Sequence, residues 1–426
     1  MRILSVLSRA VIALAIPFTF HLSPFTLKAQ NGTWTVYDTR TSDICGNNIS
    51  AITADDNILW AGSYQGLCRL KGNTWTDYAM FNEKLKGQSV NCLMVDKRGN
   101  LWIGTDDYGV IEWDGTTWQE HSEETRRLKM KFVKEIVTDQ DEVVWIGVTL
   151  GGVVRYDGRT WEKYTPEDCE LLSDFVLDLA VDRSNRKWIT TNAGVSVYDG
   201  TRWSDYTPSN SKLPDAIVPA IAIDKNDVKW FGTLSGLARF DGRTWKVWNT
   251  KNSPLPNNQV NDIAIDADGL LWLATNDGVA VFDGEDNWVV FTSKNCKLPA
   301  GNTYKVCHDN QGNHWFGNDS RGLSKLSGFT MPIRSSQISS ASPAYNDGPS
   351  DENVRIQPNL EEGYITITIE SPSAIITFIN KDGKVVKTVE DYTSGKRIKI
   401  NKMPKGMYTV GVKTIRGEKK IKFNLK

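Results

Sequence analysis

The sequence predicts an all-β protein, a seven-bladed β-propeller followed by a small antiparallel β-sandwich. Three observations predict it. Trp60, Trp102, Trp145, Trp188, Trp230, Trp272 and Trp315 recur every 42 or 43 residues. Each repeat breaks into four short apolar segments bounded by Asp, Gly and Asn, the pattern of a four-stranded blade. The C-terminal part loses the tryptophans but keeps a period-two alternation, as a half-buried sheet requires.

The elements follow in chain order. Arg2 and Arg9 precede the apolar run Val11–Phe20, and Leu27-Lys28-Ala29 ends on a small residue before Gln30. This is the pattern of a secretory signal peptide over residues 1–29, with cleavage between Ala29 and Gln30. The apolar run is too short for a membrane span, and no later stretch is long enough. The mature chain is therefore expected outside the cytoplasm, with no transmembrane helix. The formal net charge of −1 carries no overall basic signal for nucleic acid.

Residues 30–328 form the repeat region. The sixth repeat shows the four segments: Val260–Asp266, Leu270–Thr275, Gly278–Asp283 and Asn287–Thr292. A second tryptophan column, Trp34, Trp75, Trp118, Trp161, Trp203, Trp245 and Trp288, keeps the same period. The region opens on a fourth-strand segment, Asn31–Tyr37, and closes on a third-strand segment, Gly322–Gly328. The N-terminal strand is therefore expected to complete the last blade, which removes the open edges of the ring.

Repeated polar residues read first as scaffold. Asp96, Asp139, Asp182, Asp224, Asp266 and Asp309 each stand six residues before a first-column tryptophan, and Ala54 takes that place in the first repeat. Asp at a tight turn accepts backbone N–H bonds, which explains every copy. A calcium loop would need denser oxygen ligands. The first tryptophan column is expected to fill the wedge between blades and the second to lie nearer the rim, where sugar stacking competes with packing. No metal and no cofactor is indicated by motif or spacing.

Function is sought in what does not repeat. Loops joining the second and third strands should gather on one face with the loops that lead into the next blade. They carry Tyr64, Asp106, Asp107, Tyr108, Asn192, Asn276, Asp277, Asn318, Asp319 and Arg321. Varied polar loops on a fixed ring are candidate ligand-binding positions for a glycan or a protein, and they also suit plain solvated turns. His308 and His314 lie together in the last repeat, but a base, an acid and a metal over the axis are not evident, so an enzyme is the second reading. Cys45 and Cys296 fall in loops entering the first and last blades, where a bridge would staple the closure.

Residues 329–352 are rich in Ser and Pro and read as a linker. Residues 353–426 hold 12 Lys and 3 Arg against 7 acids, a net of +8. With +3 on the first 30 residues, a chain total of −1 leaves −12 on residues 31–352. The basic end suits an acidic partner or a lipopolysaccharide surface, or is simply solvated.

Two resemblances sharpen this. MVDKRGNLWIGTDDYGVIEWDG (Met94–Gly115) and AIDKNDVKWFGTLSGLARFDG (Ala222–Gly242) resemble the two-component regulator propeller repeat. That family's propellers often form the sensing part of membrane kinases, which implies a ligand- or partner-binding ring. The repeats are also distantly similar to those of the streptogramin lyases, which would make His308 and His314 the candidates for catalysis. VRIQPN (Val354–Asn359), FINKDGKVV (Phe378–Val386) and KINKMPKGMYTVGVK (Lys399–Lys413) resemble the C-terminal sorting domain of the type IX secretion system of Bacteroidetes, with Leu360 where that family has a second Pro. This implies that residues 353–426 meet the type IX machinery, and that the protein ends at the outer face of the outer membrane or is secreted.

Overall fold

A computed structural model describes residues 32–331, apart from Asp56, and most of 355–425. The expected signal peptide with Ala29 and Gln30, and nearly all of the expected linker, lie outside the described residues.

Seven four-stranded antiparallel sheets form the ring. Blade one runs Ile49–Asp55, Ile58–Ser63, Gly66–Lys71 and Thr74–Asp77, from the axis outward. The next five blades repeat this order, beginning at Val90, Val133, Val176, Ala220 and Val260. Blade seven runs Thr303–His308, His314–Asn318 and Gly322–Ser327. Its outer strand is Thr33–Tyr37, paired antiparallel from Thr33↔Ser327 to Tyr37↔Leu323. The N-terminal strand thus completes the last blade, as the phase of the repeats predicts. Trp34 lies on this seam, with Phe291 and Phe316 at 5.3 and 5.5 Å.

Both tryptophan columns have a physical reason. Every first-column ring is at most 3% exposed. In blades two to seven its indole Nε1 donates to the Asp six residues earlier, at 2.8–3.2 Å. The same carboxylate spends its other oxygen on the turn: Asp182 Oδ1 accepts from Ser184 N and Arg186 N, both at 3.0 Å. One Asp therefore shapes the turn and satisfies a buried indole. Blade one has Ala54 instead, and Trp60 packs edge-on against Tyr78 and Trp113. The second column stacks on its cross-strand partner, as Trp161 on Tyr156 at 4.2 Å and Trp288 on Phe282 at 4.0 Å. It is mostly half-buried, as a rim position should be.

A glycine opens or directly precedes each third strand, and the reason is geometric. Gly278 has φ +104, and a Cβ there would collide with the Phe291 carbonyl oxygen. In blade three Gly152, rather than the neighbouring Gly151, holds the equivalent place against the Tyr164 carbonyl.

The remaining strands form two sheets. One holds Arg355–Asn359, Tyr364–Thr368 and Arg397–Lys399; the other holds Val385–Tyr392, Ala374–Asn380, Gly406–Thr414 and Gly417–Leu425. Ile365, Ile367, Phe378, Tyr392 and Val410 share one core. The Tyr392 hydroxyl sits 2.8 Å from both N and O of Ile367 and so ties the two sheets together. Pro358 falls on the edge strand, where its missing N–H costs no ladder bond.

Phe329 packs edge-on against Trp272 at 5.0 Å, and Met331 is buried. The start of the segment read as linker is therefore docked on blades six and seven.

Candidate functional site

The loops joining second to third strands do share a face with the connectors between blades. Phe132 N donates to the Asp106 carbonyl, Thr149 N to the Phe132 carbonyl, Val218 N to the Thr191 carbonyl and Asp319 N to the Asn302 carbonyl. We call this the upper face. The Asp turns lie on the lower face and bond to one another there, as Gln140 does to Asp182 and Arg183.

Six of the seven inner strands carry a β-bulge at their upper end. A bulge re-aims its extra residue. Here that residue meets a loop side chain: Asn91 Nδ2 donates to Asp106 at 2.6 Å, Asn261 Nδ2 to Asn276 at 2.9 Å, and Tyr304 OH to Asp319 at 3.3 Å. Burial raises the Tyr64 phenol pKa, and Tyr304, Asp319 and Asp106 add to it. Tyr64 of blade one therefore stands among groups from blades seven and two.

Below this mouth lies an axial cavity of about 230 Å³. The residue after each bulge faces it: Ala51, Cys92, Glu135, Asp178, Asp262 and Lys305. Lys305 reaches across the axis to Glu135 at 3.4 Å and lies 3.6 Å from Asp262. Burial alone would lower its pKa, but Asp262, Glu135 and Asp178 together hold it well above the usual lysine value. Burial raises Glu135 and, more strongly, Asp178. Asp178 and Asp262 also each accept the inner-strand N–H of the next blade at 2.8 Å, from Ile221 and Val306. The four charged groups thus hold neighbouring and opposite blades together. Sequence reasoning missed them. Their signal was a charged residue in VKE, VLD, VND and TYK where an inner strand should be apolar.

The expected site residues divide. Asp106, Asn276 and Asp319 each bond to the bulge residue at the upper end of an inner strand, and Tyr64 stands near enough to Asp106 and Asp319 to feel their charge. Tyr108 and Asp107 lie further out, with Asp107 paired to Lys131 at 3.3 Å. Asn192, Asp277 and Arg321 are exposed on the same face. Asn318 is a correction: it is 2% exposed, and its amide donates to Phe316 O, Gly322 O and Ser324 Oγ. It substitutes for the buried Thr that closes this loop in other blades, such as Thr275 on the Gly278 carbonyl.

The histidines sit at the lower end of blade seven, away from the mouth. His314 stacks on Trp272 at 3.8 Å, and its Nδ1 is 2.9 Å from that of His308. Burial lowers His308 to about 4 and His314 to about 3. His314 occupies the position of Lys187 and Lys229, which lie 4.9 and 5.0 Å over the preceding blade's tryptophan. That is a packing role. Among the described residues no cluster of three His, Cys, Asp or Glu side chains could hold a metal ion.

The expected Cys45–Cys296 staple is also corrected. Both thiols are free. Cys45 N lies 3.3 Å from Cys68 Sγ within blade one, and Cys296 Sγ donates to its own connector at Thr292 O. Cys296 takes the place that Ser211 and Ser253 hold in the equivalent turns.

The sequence matches the two component regulator propeller family over residues 84–107 and 254–277, each running from a connector to an upper-face loop. Residues 355–426 match the secretion system C-terminal sorting domain. The chain carries regulator-propeller repeats and a type IX sorting tail. The tail marks a surface or secreted propeller. Among solved structures, the extracellular domain of a protein described as a hybrid two-component system, BT3049 of B. thetaiotaomicron, is 18% identical with a TM-score of 0.60, over 92% of this chain and 57% of that one. PorZ, a surface component of the type IX secretion system of Porphyromonas gingivalis, is 17% identical with a TM-score of 0.59, over 92% of this chain and 60% of that one. A streptogramin B lyase is 13% identical with a TM-score of 0.59, over 70% of this chain and 99% of the lyase. The chain therefore spans less than two thirds of the first two, and at these identities the likeness is one of fold. No curated protein matches. Among the described residues no helix is long and apolar enough to cross a membrane.

Proposed function

We propose that the regulator propeller is an exported recognition module that binds a hydroxyl-rich ligand, a glycan foremost, at the axial mouth of its upper face. One observation carries this. Tyr304 OH donates to Asp319 at 3.3 Å beside the inner strand that supplies Lys305, Asp106 accepts from Asn91 beside the strand that supplies Cys92, and Tyr64 of the blade between them stands near enough for both carboxylates to raise its phenol pKa. The exposed Tyr64 ring offers an apolar face, and the adjoining carboxylates and amides accept from or donate to hydroxyls. The rigid ring holds these groups without further ordering cost on binding. The sorting tail supplies the address: residues 353–426 would pass the chain to the type IX machinery after the signal peptide has carried it across the inner membrane.

A glycan array probed with the full chain tests the binding. Hits should be lost in Tyr64→Ala and in Asp319→Asn, while both variants keep the wild-type melting temperature. An array with no hit, or hits indifferent to both changes, would sink the reading. Export is tested separately: a chain lacking residues 353–426 should stay inside the cell, and its appearance in the medium would refute the role given to the tail.

A further inference from the structure

The upper face carries a second feature, which extends outward from the axial mouth. Seven large apolar side chains of the propeller are exposed: Tyr64, Met80, Phe81, Tyr108, Phe132, Leu150 and Ile217. All seven lie on the upper face, and all but Ile217 come from blades one to three and their connectors. Met80 and Leu150 are 81% and 67% exposed. A soluble surface rarely gathers such residues on one side without a partner.

The backbone shows that the position is built. Phe132 and Leu150 have φ of 55° and 59°, a left-handed conformation that bulky residues avoid. Phe132 is fixed there by its N–H to Asp106 O at 2.8 Å and by its carbonyl to Thr149 N at 3.1 Å. Two blades thus clamp an exposed phenylalanine in an unfavourable conformation, a pattern typical of recognition sites.

The connectors themselves depart from the repeat. The five others share one turn, as Asn210 and Ser211 bonding back to Thr207. Between blades one and two there is instead the short helix Tyr78–Met80, and between two and three the helix Ser122–Leu128. Residues 126–134 hold five basic side chains and no acid. Lys86, Arg127 and Lys129 are exposed and form no ion pair among the described residues. This basic island stands on a propeller whose residues 31–352 sum to −12.

We propose that Met80, Phe81, Tyr108, Phe132 and Leu150 form a docking arc for an acidic polypeptide segment bearing apolar side chains. Separate Met, Phe, Tyr and Leu anchors with a basic fringe match such a segment. Glu83, Asp106 and Asp107 are interspersed in the arc and would repel a uniformly anionic lipid surface. Met80 and Leu150 offer nothing to sugar hydroxyls. The inference does not depend on what occupies the axial mouth.

The test pans the full chain against a displayed library of random short peptides. Enriched peptides should combine Asp or Glu with Phe, Leu or Trp, and should bind more weakly as salt rises. Binding should fall about tenfold or more in Phe132→Ala/Leu150→Ala and in Arg127→Glu/Lys129→Glu, and be unchanged in Ile217→Ala. The charge-reversal pair changes only exposed heads, so it remains decisive should the first pair fail to fold. No enrichment, or enriched peptides without acids, overturns the proposal. So does co-sedimentation with phosphatidylglycerol vesicles, or a concentration-dependent dimer, abolished by the same variants.

Discussion

Replacing Asp182 with alanine should cost far more than the same change at Asp96, although both occupy the same turn. Asp182 is 2% exposed and accepts Trp188 Nε1 at 2.9 Å, Arg186 Nε at 2.7 Å and two backbone N–H groups. It also faces Lys229 of the next blade at 3.4 Å, whose side chain is only 3% exposed. Burial pushes its carboxyl pKa up, but the bonds from Trp188 and Arg186 hold it below the usual range. Removing the carboxylate leaves a buried ammonium with Asp227 alone, at 2.8 Å. Loss of one partner of a buried pair costs about 3–5 kcal/mol. Among the described residues Asp96 has only Arg98 as a cation, at 3.8 Å with a 63% exposed side chain, so Asp96→Ala should cost about 1–3 kcal/mol through its hydrogen bonds. Urea unfolding followed by tryptophan fluorescence measures both. Adding Lys229→Met to Asp182→Ala should recover about 1 kcal/mol or more, because the stranded charge is gone. If Asp182→Ala is no worse than Asp96→Ala, or Lys229→Met deepens the loss, the inter-blade charge argument fails.

Three further outcomes are expected. His308 and His314 are held neutral in the fold, at about 4 and about 3 against an ordinary 6.5, so their contribution is present above pH 6.5 and is lost as pH falls toward 4. Unfolding free energies measured from pH 7 to pH 5 should drop by about 1–2 kcal/mol per histidine, and His308→Gln/His314→Gln should flatten the slope; an unchanged slope would reject this assignment. Trp34→Ala should destabilise the ring by about 3–5 kcal/mol, read from the calorimetric transition, and a loss under about 1 kcal/mol would mean that the closing strand contributes little. Under mild oxidation, peptide mass mapping should find a link between Cys45 and Cys68; a link between Cys45 and Cys296 would show that the ring seam is arranged differently.

Much of the architecture could be read because a propeller repeats its errors as well as its rules. The tryptophan period, the Asp six residues before it and the phase of Asn31–Tyr37 each recur or close, so seven copies vote on one structure. The indole–carboxylate bond was not read, although its six-residue spacing was in view, because turn chemistry alone already accounts for Asp. The candidate site was harder. Asn318 looks like a loop residue until its amide is seen to satisfy a buried turn, and Cys296 looks like a staple until it is seen to replace Ser253. Glu135, Asp178, Asp262 and Lys305 escaped because a bulge shifts the alternation by one residue, so residues that read as core face the axis.

The seam in blade seven has a kinetic consequence. Thr33 pairs with Ser327, residues 294 positions apart, whereas each inner hairpin closes over a handful. Loop closure over such a length costs roughly 5 kcal/mol of chain entropy before any contact rewards it. Six blades and most of the seventh can assemble from local pairings, and the N-terminal strand zips in last. By the same reasoning it should be the first element to leave. An open ring would bare the edge of Gly322–Ser327 and the rings of Phe291 and Phe316, a sticky intermediate. Because both ends of the propeller meet at this seam, joining them and reopening the chain at the connector around Asn252 would preserve the ring while turning its slowest contact into a local one.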